Sequence, residues 1–486
     1  MNFNSVIFLI YLPLVILIYW ILPHKARWAF LLLASYFFYA YHNVWLIFLI
    51  LGTTLVSFFA ALGIDRSENK KVRVFLLVLS LILILGALFV FKYLDFAITS
   101  VVSFVNLFGG EASYSALNLI LPVGISFYTF QTLSYVIDVY KGKFAAETHF
   151  GYYALFVSFF PQLVAGPIER PDNLLPQLKA VKKIDADCFS YGFQYLISGF
   201  VKKIVIADFL GVFVASTYGN IASASGASLL IATIFFAIQI YGDFAGYSDI
   251  AIGAAHLLGI HLTKNFDHPY LSKSVREFYR RWHITLNSWL TDYIYIPMGG
   301  SRCGLPRHLL NIMVVFLVSG FWHGASWNYV IWGLLNGLLI CIEILLSKPL
   351  ENLTNKTERR KKVVNFISVP ITFLIICSTW VFFRASDISS AFLVYQRIFT
   401  SFAIGNGLEN FKEVTFILRV ILTLFLFIFI PYLPKMNLKL DEEGNYDARQ
   451  IFSTLVIYVP LVFMILMCWL DQLSSSGESG FIYFQF

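Results

Sequence analysis

An imidazole stands in this chain where imidazoles are expensive to keep. His323 lies in Ser319-Gly-Phe-Trp-His-Gly-Ala-Ser-Trp327, at the join between two strongly apolar segments. A ring that must satisfy two nitrogens is costly to bury in hydrocarbon, so an ionisable residue at membrane depth is read first as a working group with a partner nearby. Imidazole also titrates nearest to neutrality, which suits it to take a proton from a hydroxyl or return one to a leaving group. A second imidazole, His283, follows Arg280, Arg281 and Trp282 forty residues earlier, and two histidines entering an apolar region from different segments suggest a shared cavity. Neither belongs to a His-x-x-x-His or Cys-x-x-Cys cluster, and no Gly-x-Ser-x-Gly elbow occurs, so metal and serine-nucleophile chemistries are not indicated. What survives is acyl or proton transfer, with histidine as base and a bound hydroxyl as nucleophile.

The segments that must position these rings are unusually apolar. Of 486 residues, 58% are hydrophobic and 13% charged, and the mean hydropathy is +0.74, which excludes a soluble globular mixture. A span needs roughly 17 to 25 apolar residues. Val6–Leu22, Val44–Leu62, Val74–Phe91 and Ile451–Leu470 satisfy that cleanly, whereas Trp28–Tyr41, Ala116–Val136, Tyr152–Ala165, Phe189–Ile206, Leu229–Tyr241, Leu309–Trp322 and Val414–Leu433 are shorter or interrupted. The expected fold class is an all-α polytopic membrane protein, a single integral-membrane domain over 1–486, with about ten to twelve transmembrane helices plus re-entrant or interfacial ones. Period-2 alternation is missing, which argues against a membrane barrel.

Phe278–Leu290 mixes basic and aromatic residues with Trp282, Leu286 and Trp289 on one side, and reads as one amphipathic helix along the interface or dipping into the protein. Gln239-Ile-Tyr-Gly-Asp-Phe-Ala-Gly-Tyr-Ser-Asp249 places Asp243 and Asp249 within apolar sequence. Each carboxylate needs a partner, for which Arg280, Arg281, Lys202 and Lys203 are the candidates, and a buried ion pair is at least as good an explanation as catalysis. The net charge of +7 concentrates in short runs beside apolar segments, which suits lipid headgroups or a cytoplasmic anionic cosubstrate and not nucleic acid. The five cysteines have no paired spacing, and no metal is expected.

Five ordered motifs complete the picture: Pro161–Arg170, Gln239–Gly253, Glu277–Leu286 with Tyr293–Gly300, Gly320–Ala325, and Trp380-Val-Phe-Phe-Arg384. In this order they resemble the membrane-bound O-acyltransferase family, in particular its bacterial alginate O-acetyltransferase branch, with core motifs over 118–384 and C-terminal helices over 414–470. The resemblance implies tilted helices around a central tunnel in a bacterial inner membrane. It makes His323 the catalytic histidine and His283 a second active-site position. It also implies acetyl-coenzyme A as donor and export of the acetyl group. A periplasmic or extracellular SGNH-type acetyltransferase partner would then complete transfer to a polysaccharide such as alginate. Arg280, Arg281 and Arg302 are candidates for the coenzyme A phosphates, while Gln239, Asp243, Asp249 and Trp322 would line the tunnel or support it. Peptidoglycan O-acetylation and D-alanyl transfer to teichoic acid are the alternatives within the family. Outside it stand a proton-coupled transporter and a scaffolding subunit.

Overall fold

The computed structural model describes residues 1–41, 43–354, 358–403, 408, 411, 413–433 and 448–474. Every regular element among them is helical. Seven helices are long and apolar enough to cross a membrane: Leu46–Arg66, Lys70–Leu107, Gly226–Leu257, Leu305–His323, Trp327–Ser347, Arg360–Arg384 and Thr454–Asp471. Val6–Ile21 and Val414–Phe429 are apolar but shorter.

The seven are the helices of that length and apolarity among the described residues, and several other apolar runs are broken for local reasons. The run Tyr152–Ala165 splits into Phe150–Ser158 and Phe160–Leu163, because Phe159 leaves helical geometry (φ −51°, ψ 110°) just before Pro161. The run from Ala116 becomes helical only at Ile125, after Pro122 and a left-handed Gly124 (φ 75°). The run Phe189–Ile206 passes from the helix Ala186–Phe200 into a wide π-type turn over Val201–Asp208, a form that recurs at functional sites.

The described residues form two compact units. The first contains Met1–Leu196 and Ile250–Thr263. Two of its buried hydroxyls tie separate segments together, with Tyr153 donating to Ser57 Oγ at 2.6 Å and Phe160 N–H donating to Ser35 Oγ at 3.1 Å. Such bonds matter most where no water can substitute. Glu169, from the first motif, is fully buried and accepts from the Thr263 backbone N–H, from Thr263 Oγ1 at 3.1 Å and from Asn173 Nδ2 at 2.6 Å. Burial pushes its carboxyl above the usual range, against those hydrogen bonds.

The second unit contains Ile197–Asp249 and the described residues from Lys264 onward. It holds a hairpin of Leu305–His323 and Trp327–Thr354. The two helices approach so closely that a Cβ on Gly320 would strike the Tyr329 carbonyl, and one on Gly333 the Phe316 carbonyl. Small residues at such crossings are what allow membrane helices to pack without a hydrophobic drive between them. Trp282, Trp332 and Trp380 are among the largest fully buried side chains, so this unit has an aromatic core.

Phe278–Leu290 is not one continuous helix. Val275–Arg281 ends at Trp282, His283 takes a left-handed conformation (φ 47°, ψ 55°), and a second helix runs Ile284–Leu290. The periodicity of Trp282, Leu286 and Trp289 is real, but their shared burial is achieved across a break.

Candidate functional site

His283 is held by its surroundings in a backbone state that a residue with a Cβ rarely adopts. A non-glycine residue at positive φ costs of order 1 kcal/mol or more, and persists where neighbouring bonds over-determine it. Here Asn265 supplies those bonds. Its backbone carbonyl accepts from Ile284 N–H at 2.8 Å, and its side-chain oxygen accepts from Thr285 Oγ1 at 3.0 Å and Thr285 N–H at 3.3 Å. The same oxygen lies 3.1 Å from His283 Nδ1, while Asn265 Nδ2 donates to Ser248 Oγ at 3.2 Å. Because the Thr285 backbone N–H can only donate, the end of the amide that it shares with the imidazole is the oxygen. The network therefore assigns the proton to His283 Nδ1 and leaves the Nε2 lone pair as the basic end. The ring is 1% exposed and stands edge-on to Phe244 at 4.6 Å. Burial pushes its pKa down to about 3, so the ring is neutral at physiological pH and holds an added proton only weakly.

His323 is the last residue of Leu305–His323, and Gly324 carries the chain away in an extended conformation. A Cβ on Gly324 would collide with the Tyr329 ring, so the exit from the helix is shaped around that tyrosine. The next helix is tied back by Asn328 Nδ2, which donates to the Ala385 carbonyl at 2.8 Å. His323 is 4% exposed, and its ring stands edge-on to Trp322 (5.0 Å), Trp332 (5.1 Å) and Phe383 (5.3 Å). Trp322 also meets His283 at 5.7 Å and 70°, so one indole lies against both imidazoles. The structure thus brings together the two histidines that the sequence singles out, with Trp322 between them.

The polar residues of the Gln239 motif are placed differently. Lys203 is 5% exposed and bridges Asp243 at 2.5 Å and Asp208 at 2.9 Å. Lys202 pairs with Asp249, which also accepts from Ser198 Oγ at 3.1 Å. Of the four cations considered, the two lysines of the wide turn are the partners, and both carboxylates serve as ties between Val201–Asp208 and the helix Gly226–Leu257. Gln239 packs its amide over Gly211, where an added Cβ would lie 2.7 Å from Nε2. Arg281 is paired with Glu277 at 2.7 Å, whereas Arg280 and Arg302 are exposed. Asn265 and Ser248, which orient His283, escape sequence reasoning, since an asparagine eighteen residues before a histidine has no distinguishing pattern.

Residues 144–383 match the MBOAT, membrane-bound O-acyltransferase family. The chain is 34% identical over 504 residues, the full length of both proteins, to a probable alginate O-acetylase AlgI of Pseudomonas putida. The chain belongs to the membrane-bound O-acyltransferase family. It is also 35% identical over 429 residues to a peptidoglycan O-acetyltransferase of Helicobacter pylori, covering 81% of this chain and 79% of that one. A teichoic acid D-alanyltransferase of Bacillus subtilis is 25% identical over 271 residues, 54% of this chain and 68% of that one. The protein is a multi-pass membrane acyltransferase, which in a bacterium resides in the inner membrane. Family membership sets aside the transporter and scaffold readings, and both histidines fall within the matched region.

Proposed function

We propose that this O-acyltransferase takes an acetyl group from cytoplasmic acetyl-coenzyme A and delivers it, through the membrane, for O-acetylation of a cell-surface polysaccharide of the alginate type. Two buried imidazoles on one indole carry the reading, one of them with its tautomer fixed. Thioester transfer needs a base for the incoming hydroxyl and a water-poor site that protects the thioester. His323 takes the hydroxyl proton as the oxygen attacks the thioester carbonyl carbon. The tetrahedral oxyanion then collapses, the carbon–sulfur bond breaks, and the proton passes to sulfur to release the free thiol. His283, basic at Nε2, is the second imidazole of the centre and acts on the same proton path. The exposed guanidiniums of Arg280 and Arg302 suit coenzyme A phosphates better than Arg281, whose charge Glu277 already answers. An SGNH-type partner outside the membrane accepts the acetyl group and completes its transfer.

The relatives named for D-alanyl transfer support a second reading, with alanine in place of acetate. The test is the ester content of surface polysaccharide in cells carrying His323→Ala, with membrane abundance of the variant measured beside wild type. Loss of a general base lowers transfer by roughly 10²- to 10⁴-fold, so base-labile acetate should vanish while the protein remains. Persistent acetate would remove His323 from the mechanism. Base-labile alanine in place of acetate in wild-type cells would select the second reading.

A further inference from the structure

A second cluster of chemistry-bearing side chains lies in the first unit, outside the acyl-transfer site. Cys188, His256 and His261 each present one ligand atom, and these atoms lie within 4.8 Å of one another. The arrangement is built by the chain end of the helix Gly226–Leu257. Past that end, Gly259 takes φ 73°, Ile260 N–H donates to the Ala255 carbonyl at 2.9 Å, and Gly259 N–H donates to the His256 carbonyl at 2.8 Å. This paired closure reverses the chain and is available because glycine accepts the left-handed position. It turns His261 back upon His256, with ring centroids 4.6 Å apart. Gln177 then fixes the His261 backbone from both sides, donating to its carbonyl at 2.9 Å and accepting from its N–H at 2.8 Å. Cys188 enters from the helix Ala186–Phe200, and Tyr195 of the same helix stacks on His256 at 5.9 Å and 8°.

The ring environment is unusual for histidines that serve only as packing. His256 is half-buried, and its Nδ1 is enclosed with no hydrogen-bond partner among the described residues. The Asp185 carboxylate accepts from the Cys188 thiol, and Lys182 is the nearby cation.

We propose that Cys188, His256 and His261 form a binding site for zinc or a chemically similar divalent transition metal, clasping the start of Ala186–Phe200 to the turn after Leu257. One soft sulfur and two imidazole nitrogens are a preferred donor set for such ions. Tetrahedral bonds of about 2.3 Å to sulfur and about 2.0 Å to nitrogen place ligand atoms about 3.3–3.6 Å apart. The observed 4.8 Å limit therefore closes around an ion with side-chain movements of about an ångström. Metal binding forms the sulfur–metal bond and releases the Cys188 thiol proton to solvent. Water or the Asp185 carboxylate completes the fourth position. His256 and His261 have a His-x4-His spacing compatible with zinc, but Cys188 lies far from them in sequence and no second cysteine pairs with it, so sequence alone does not assemble the site.

The test uses the full chain in detergent, stripped with a chelator and titrated with Co²⁺ alone. Wild type should bind Co²⁺ in equimolar amount with the visible bands of a tetrahedral ion and a near-ultraviolet thiolate-to-cobalt band, all abolished by competing Zn²⁺. Cys188→Ser should lose the thiolate band. His261→Ala, at an exposed position, should weaken binding at least tenfold. Size-exclusion profiles matching wild type confirm that both variants are folded. Failure of wild type to bind Co²⁺, a spectrum without the thiolate band, or wild-type binding by both variants would each overturn the site.

Discussion

Replacing Lys203 by Met is the most direct way to separate a supporting role of Asp243 from a chemical one. Lys203 lies between two carboxylates whose side chains are 3% and 7% exposed, so its removal leaves both Asp243 and Asp208 without their cation in a water-poor interior. Breaking a buried ion pair by deleting one partner is destabilising by about 3–5 kcal/mol. Lys202→Met should be milder, at about 1–2 kcal/mol, because Asp249 is 15% exposed and keeps the Ser198 hydroxyl as a donor. At roughly 1 °C per kcal/mol for a chain of this length, thermal unfolding of the detergent-solubilised protein should fall by about 3–5 °C for Lys203→Met and by about 1–2 °C for Lys202→Met. Adding Asp243→Asn to Lys203→Met removes one stranded charge and should return about 0.5–3 kcal/mol. An intact thermal transition for Lys203→Met, or a larger loss for Lys202→Met, would refute the reasoning. If the double variant regains stability and transfers acetyl, Asp243 is structural. If it is stable and inactive, Asp243 takes part in the chemistry.

Other perturbations address the histidines and the hairpin. Asn265→Leu removes the acceptor for His283 Nδ1–H and should lower kcat by roughly 100-fold with little change in the donor KM, while Asn265→Asp, which keeps an acceptor there, should recover much of the rate. His283 has its folded pKa pushed down to about 3 by burial against about 6.5 when unfolded, so between these values the unfolded chain binds the extra proton. Stability should therefore decline as pH falls below about 6.5, by up to about 1.4 kcal/mol per pH unit, and thermal unfolding of His283→Gln should lack that component of the slope. Gly320→Ala drives a methyl into the Tyr329 carbonyl and should lower stability by about 1–3 kcal/mol, read by thermal unfolding, together with a loss of transfer activity as His323 shifts.

What the sequence made legible follows the size of each physical penalty. The membrane class was plain because hydropathy acts over whole segments, and His323 stood out because an imidazole in apolar sequence demands an explanation. The need of Asp243 and Asp249 for cations was equally evident, but four basic residues qualified, and only the wide turn at Val201–Asp208 selects Lys202 and Lys203. The helix break at His283 was illegible, since Trp282, Leu286 and Trp289 keep helical spacing and the interruption depends on an asparagine outside that window. The exact points at which apolar runs break were hidden for a related reason. Apolar stretches such as Tyr152–Ala165 satisfy composition, yet a single extended residue before Pro161 is enough to divide them.

Trp322 has a consequence for how any kinetics of this centre should be interpreted. Its indole is the common wall of two imidazole compartments, so emptying either compartment gives the ring room to swing into it. A truncation at His323 would then reshape the space around His283, and the reverse. Rate losses for the two single variants would overlap instead of adding, and neither could be booked to one side chain alone. The histidines are best regarded as one shared instrument whose tuning depends on a residue that exchanges no proton.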